Sequence, residues 1–360
     1  MAFIKKMRKV TIAIIDSGID NRFKNQFKCK VSGIGVTLIN NEIKIVEDYF
    51  DENGHGTLTA SVIINECPDI EFFIIKILDR KLEGNIECLI ASLEYLLDKD
   101  VNIINMSLAV EKNGRDSRLK KICKRLNDQG KILIAAVENG SKKSIPAIYS
   151  TVIAVEGRKL KQNFDFMFSS NKRINCVIRS EPHLYYQKKD DYVMYGDCNS
   201  FAAAKLSGKL ARILRKQPSN DNSKVKKLLR KESKLFVWTV PLLNLFKEYP
   251  VFRDNNIIYD PIKLNKLATN IAVFFSVENI SDIYSYSLYS SKISQKKEFA
   301  YRFLRFLEEK YGFVCENYSV FERNDFISIY SVYKFLKERY KWKNLKSMLY
   351  IYLKKIKLSH

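Results

Sequence analysis

Along its first two thirds the chain alternates between short continuous apolar runs and stretches where apolar residues recur every three or four positions. VTIAIID, ending in Asp16, is the first such run. IEFFIIKIL, VNIINMSLA, KILIAAV and STVIAVEG, at residues 70–78, 101–109, 131–137 and 150–157, are of the same kind. Runs of this length without polar alternation predict strands buried on both faces, as in a parallel sheet. Helical spacing predicts helices over 57–65, 86–97, 118–126 and 200–214, the last with Phe201, Leu206, Leu210 and Leu214 on one face. Strand and helix in alternation predict a doubly wound α/β domain with a mostly parallel sheet, over residues 1–216.

Past Gln217 the texture changes. PSNDNSKVKKLLRKESK is polar and basic and predicts a linker over 217–235. Residues 236–360 are rich in aromatics and lysine, with weak strand signals. There EFAYRFLRFLEEKYGF predicts a helix with Phe299, Phe303, Phe306 and Leu307 on one face and a C-cap at Gly312. The expected architecture is a doubly wound domain followed by a smaller, mainly helical C-terminal region of accessory role.

Composition narrows the class. With 46% apolar residues in 360, the chain can bury a core. No stretch approaches the roughly 18–20 apolar residues of a membrane span. The start, MAFIKKMRKVTIAIID, is basic, but its apolar run is too short for a secretory signal and reads as a first strand. Seven scattered cysteines without a CxxC pair read as reduced thiols in a cytoplasmic protein. A net charge of +22 could attract nucleic acid or another anionic partner. The basic residues are spread widely, however, without an RNA-binding signature, zinc-finger spacing or Gly-rich basic tail, so nucleic acid is not the expected partner.

The chemistry starts from scarcity. The chain has three histidines, and one of them, His55, lies between two glycines in ENGHGTLTASVI, just before a predicted helix. Asp16 ends the first strand and is followed by Ser17-Gly18. Ser200 lies in YGDCNSFAAAKLSGKL, at the start of the predicted helix over 200–214. In open α/β sheets working residues collect at such strand ends and first helical turns. Singly, each has an ordinary structural role: a turn at Asp16, a Gly-rich corner at His55, a helix N-cap at Ser200. Together they are the parts of a nucleophilic relay. A serine hydroxyl needs an imidazole to take its proton, and the imidazole needs a carboxylate to fix its tautomer and stabilise its cation.

DSG at Asp16, GHGT at His55 and NSFAAAKLSG at Ser200, in that order, resemble the three active-site blocks of the subtilisin-like serine proteases. The resemblance covers about residues 9–216. INMSLAV resembles the family's substrate-lining strand and IPAIYSTVIAV its Pro-Ala turn and following strand. It implies a subtilisin-like fold and a serine endopeptidase acting on a peptide or protein substrate, with Ser200 as nucleophile, His55 as base and Asp16 as its partner. It further implies an oxyanion donor near AAVENG: an ungapped alignment puts Glu138 there and a one-residue shift Asn139, which is preferred because a carboxylate would repel the developing charge. Leu108, Ala109, Val110, Ala135, Ala136 and Val137 are the implied substrate-lining residues. No cofactor and no metal are expected.

The sequence departs from the family pattern at five positions. Cys198 stands where a glycine usually precedes the nucleophile, Ala204-Lys205 where Pro-His usually follows it, and Ala109 and Val110 replace glycines of the substrate strand. These suggest a specialised protease: with Asp16 so near the start, no propeptide is expected, and the layout resembles that of cytoplasmic maturation proteases acting on one leader peptide. The alternative is a catalytically inactive protein that holds peptides in the same groove. In the last third, FLRFLEEKYGF and NDFISIYSVYKFLKERY resemble the second half of an acyl-carrier-like helical domain. The Asp-Ser-Leu that would carry a phosphopantetheine arm is absent upstream, so a partner-docking module without a loaded cofactor is expected.

Overall fold

The computed structural model describes residues 9–108, 116–138, 144–160, 165–188, 191–233, 238, 254, 256–294 and 298–340. Contacts divide the chain into two compact units. The first comprises Met1–Glu181, Tyr185–Asp191 and Tyr195–Glu248, the second Pro182–Leu184, Tyr192–Met194 and Tyr249–His360.

The five apolar runs become strands β1 (Thr11–Asp16), β4 (Glu71–Lys76), β5 (Ile103–Met106), β6 (Ile132–Ala136) and β7 (Val152–Arg158). With β2 (Lys30–Ile39), β3 (Glu42–Val46), β8 (Phe166–Phe168) and β9 (Cys176–Arg179) they form a nine-stranded sheet of order β3-β2-β4-β1-β5-β6-β7-β9-β8. Only β3 and β8, at the two edges, run antiparallel to their neighbours. The expectation of a doubly wound, mostly parallel sheet therefore holds. The first strand sits at its centre, with Ile12 opposite Phe72 on one side and Ile103 on the other. After β1 the chain turns to β2 and β4 on one side, and then crosses to β5 on the other. In open α/β sheets such a reversal marks where working residues gather, here the carboxyl ends of β1 and β5.

Alternate residues of the central strands face opposite layers. Ala13 and Ile15 join a core with Leu89 and Leu93 of α3 (Ile86–Tyr95) and Leu119, Cys123 and Leu126 of α4 (Asp116–Asp128). On the opposite side lie α2 (His55–Glu66), which packs on β1, and α5 (Asn199–Lys216), which packs on α2 and on β5 to β7. Phe201, Leu206, Leu210 and Leu214 of α5 are at most 3% exposed. Burying each is worth about 1.5–3 kcal/mol, enough to hold the helix start rigidly against the sheet. A small helix, α1 (Phe23–Phe27), follows β1, and α6 (Asn222–Glu232) falls inside the segment that reads as a basic linker. Strands β10 (His183–Lys188) and β11 (Asp191–Tyr195) pair as a separate two-stranded sheet.

The second unit is helical: α7 (Pro261–Phe275), α8 (Ile280–Ser285), α9 (Ala300–Tyr311) and α10 (Ile329–Tyr340). Its core joins Leu267 and Ile271 to Phe303, Leu307, Phe321 and Leu336. Asp260 caps α7 by accepting from the backbone N–H groups of Ile262 and Lys263. Gly312 closes α9 in the left-handed conformation, φ 66°, as its position in the sequence suggests. Among the described residues no helix is long and apolar enough to cross a membrane.

Candidate active site

Three buried networks assemble the site. The first is built on Asp16, which ends β1 with no exposed surface. Its Oδ1 accepts from the Ser17 N–H at 2.7 Å and lies 2.7 Å from His55 Nδ1, and its Oδ2 accepts from Thr59 Oγ1 at 3.2 Å. The carboxylate thus holds a proton on Nδ1, which leaves the Nε2 lone pair as the basic atom of neutral His55. Burial by itself would lower the imidazole pKa. The charge of Asp16, its hydrogen bond and the further charge of Asp51 outweigh that, and the pKa lies above its ordinary 6.5.

The second network is centred on Asp51, 1% exposed, which sequence reasoning missed. Its Oδ1 accepts from Ser17 Oγ at 2.9 Å, Asn53 N–H at 3.1 Å and Gly54 N–H at 2.7 Å. Its Oδ2 accepts from the Thr57 N–H at 2.8 Å and hydroxyl at 2.7 Å. This carboxylate shapes the turn that delivers His55 to the start of α2, and it also satisfies orphan N–H groups at the helix start. The glycines have a steric reason: a Cβ on Gly56 would lie 2.2 Å from the carbonyl oxygen of Gly18. The DSG and GHG turns meet backbone to backbone, which brings Asp16 within reach of His55. The signal for Asp51 was its place in FDENGHGT, just upstream of the histidine.

The third network fixes Ser200. Asn199 donates from Nδ2 to the Val137 carbonyl at 2.8 Å and accepts at Oδ1 from the Gly157 N–H at 2.8 Å, tying the start of α5 to the ends of β6 and β7. Ser107, the residue after β5, receives the Ser200 hydroxyl on its carbonyl at 3.0 Å and donates its own hydroxyl to the Ser200 carbonyl at 3.2 Å. Ser107 Oγ accepts in turn from Asn105 Nδ2 at 2.9 Å, and Asn105 Oδ1 accepts from Ser207 Oγ at 2.9 Å. Neither Asn199 nor Ser107 carries a sequence signal beyond adjacency to the motifs.

The structure thus brings Asp16 and His55 into contact and sets Ser200 at the second residue of α5, in the same unit. It does not join His55 to Ser200 directly. Tyr195, at the end of β11, lies there instead, its hydroxyl 3.3 Å from His55 Nε2. Nothing in the sequence around Tyr195 marks it.

Asn139, Ala109 and Val110 lie outside the described residues, and Glu138 is exposed. Ala135, Ala136 and Val137 are buried, and their backbone is engaged within the sheet: Ala135 pairs with both Met106 and Ala154, Ala136 with Val155, and the Val137 N–H donates to the Val155 carbonyl at 3.0 Å. Leu108, half-buried just past β5, is the other described member of that set. Cys198 is extended, φ −149° and ψ 161°, so its side chain meets none of the strain that a left-handed position would impose. Lys205 is buried and donates to the Arg179 carbonyl at 3.1 Å, and burial lowers its pKa. His183 begins β10 and lies 3.4 Å from Glu322. All seven cysteines are free.

Comparison with known proteins follows the same lines. The model of the Subtilase family, Peptidase S8, matches residues 7–256. The minor extracellular protease Epr of Bacillus subtilis is 24% identical over 62% of this chain and 35% of its own length. A thermostable alkaline protease of Halalkalibacterium halodurans is 29% identical over 40% of each protein. An intracellular serine protease of Paenibacillus polymyxa is 25% identical over 70% of this chain and 79% of its own. The chain thus spans well under half the length of the first two relatives.

Proposed function

Since the chain belongs to the subtilase family, we propose that it is a serine endopeptidase whose relay is Asp16, His55 and Ser200. Ser200 Oγ attacks the scissile carbonyl while His55 Nε2 takes its proton. The imidazolium, stabilised by Asp16, returns that proton to the leaving amine, and water then cleaves the acyl-serine by the same route. The oxyanion falls to the Ser200 N–H at the helix start and, from the family resemblance alone, to the amide of Asn139, which lies outside the described residues. What supports this reading most is the 2.7 Å contact of a fully buried carboxylate with His55 Nδ1, which leaves Nε2 as the base. Fluorophosphonate modification of Ser200 in the wild type, lost in His55→Ala, is the expected result; a Ser200 that is inert at neutral pH both in the wild type and after removal of the Tyr195 hydroxyl overturns it.

A narrower role is part of the proposal: a cytoplasmic protease that matures one peptide substrate, with the C-terminal unit as a docking module for a partner protein. The free cysteines and the likeness to an intracellular protease support the compartment. Against a mixed peptide library a single cleavage motif is expected, and broad cutting would refute the narrow role. A second reading, peptide binding without cleavage, draws on the Ser200 hydroxyl, which is bonded to Ser107 and not to His55. Tight peptide binding with no turnover would favour it.

A further inference from the structure

Tyr195 has no part in the relay just described, yet it occupies the relay's critical atom. Its hydroxyl is 3.3 Å from His55 Nε2, the ring nitrogen left over once Asp16 holds Nδ1. Burial above all, with the nearby Cys198 thiol and the Asp16 charge, keeps the phenol pKa well above its ordinary value, so Tyr195 is an O–H donor at neutral pH. Neutral His55 offers only a lone pair at Nε2, so in the 3.3 Å contact Tyr195 is the donor, with the Cys198 thiol as the phenol's other hydrogen-bonding neighbour. Ser200 meanwhile donates to the Ser107 carbonyl at 3.0 Å. Both ends of the intended proton transfer therefore have other partners.

The phenol is held in place. Its ring stands edge-on to His55, with centroids 6.1 Å apart, and to Phe201, at 5.9 Å. Nearby, Tyr186 anchors the adjoining strand: its carbonyl accepts from Ser61 Oγ at 2.7 Å and its hydroxyl donates to Asp20 at 2.9 Å. Such a phenol could carry protons between serine and imidazole, or it could block them. Ser200 lies within hydrogen-bonding reach of the phenol, but its one hydrogen serves one acceptor at a time, and the 3.0 Å bond to the Ser107 carbonyl competes for it. The leaving amine must also reach Nε2 to collect its proton, and Tyr195 covers that atom. The geometry favours a block.

We propose that Tyr195 is a latch: in the resting protein it occupies His55 Nε2, and a bound peptide must displace the phenol before Ser200 can give up its proton. The inference rests on the serine endopeptidase reading above.

The test compares wild type, Tyr195→Phe and Tyr195→Ala in the full chain, with Ser200→Ala as control. Two rates are followed: fluorophosphonate modification of Ser200, and diethylpyrocarbonate modification of His55, located by mass spectrometry. Tyr195→Phe keeps the ring and its packing, so both rates should rise about three- to tenfold, the worth of one net hydrogen bond. Tyr195→Ala should raise them by on the order of tenfold or more; if it does not fold, Tyr195→Phe decides. Unchanged rates overturn the latch, and slower rates overturn it in favour of a proton-carrying phenol. If Ser200 is inert in all three while His55 reacts faster in the variants, the endopeptidase reading falls and the hold of Tyr195 on the imidazole stands.

Discussion

Asp16 in the sheet unit and Glu308 in the helical unit are both buried carboxylates with several donors, yet only one belongs to a candidate site. Glu308, 5% exposed, accepts from the Cys315 N–H at 2.6 Å, from Tyr318 OH at 3.1 Å and from Arg305 at 2.6 Å. Its network closes on a guanidinium that never loses its proton. That of Asp16 ends on an imidazole, which can give up its proton and has a second nitrogen to use. A buried, well-bonded carboxylate is therefore no sign of catalysis by itself. The partner at the end of the chain of hydrogen bonds decides.

Substitutions can break this contrast. His55→Ala should lower peptide-bond turnover about 10⁶-fold, the size carried by loss of a serine protease's base, and adding Ser200→Ala should cost little more. Steady-state kinetics on a cleaved peptide measures both. Asp16→Asn should cost about 10⁴-fold in kcat, because the amide favours the wrong imidazole tautomer. Glu308→Ala, by contrast, should leave kcat per folded molecule unchanged. It should destabilise the fold by about 3 kcal/mol in denaturant melts, since it strands a buried N–H and a phenol; the half-exposed Arg305 adds little. A fall in kcat for Glu308→Ala would erase the contrast.

The smallest effect concerns pH. His55 must be unprotonated to act, and its pKa is raised, so the acid limb of the activity profile should have its midpoint above about 6.5. Stability runs the other way: a raised folded-state pKa means that the Asp16–His55 pairing stabilises the fold fully below the unfolded value. That contribution is lost as pH rises through the folded one. Opposite slopes of activity and stability with pH would sharpen the assignment, and an acid limb with its midpoint below about 6.5 would contradict it.

Much of the sheet was legible because strands buried on both faces are continuous apolar runs, as IAII in β1 and ILIAA in β6 are. The edge pair escaped notice: β2 and β3 expose Leu38, Ile39, Ile45 and Val46, so neither a solid run nor a clean alternation marks them. At the site, Asp16, His55 and Ser200 stood out because they sit in short, recognisable blocks. Asp51, Asn199 and Ser107 act through contacts that span from a few residues, as between Asp51 and Gly54, to the 93 between Ser107 and Ser200. Polar residues of that kind look like any other turn or cap residue until the chain is folded.

By itself the sequence determined the alternating α/β order, the apolar faces of the main helices and the chemical identity of an acid, an imidazole and an alcohol at three turns, because periodicity and residue type are local properties. Folding alone decided which groups those three would touch. The site lies where the strand order reverses beside β1, the acid and imidazole meet because two glycine turns can approach without side chains, and the imidazole faces Tyr195 because β11 ends there. Each of these is set by distances across the fold, which no pattern along the chain encodes.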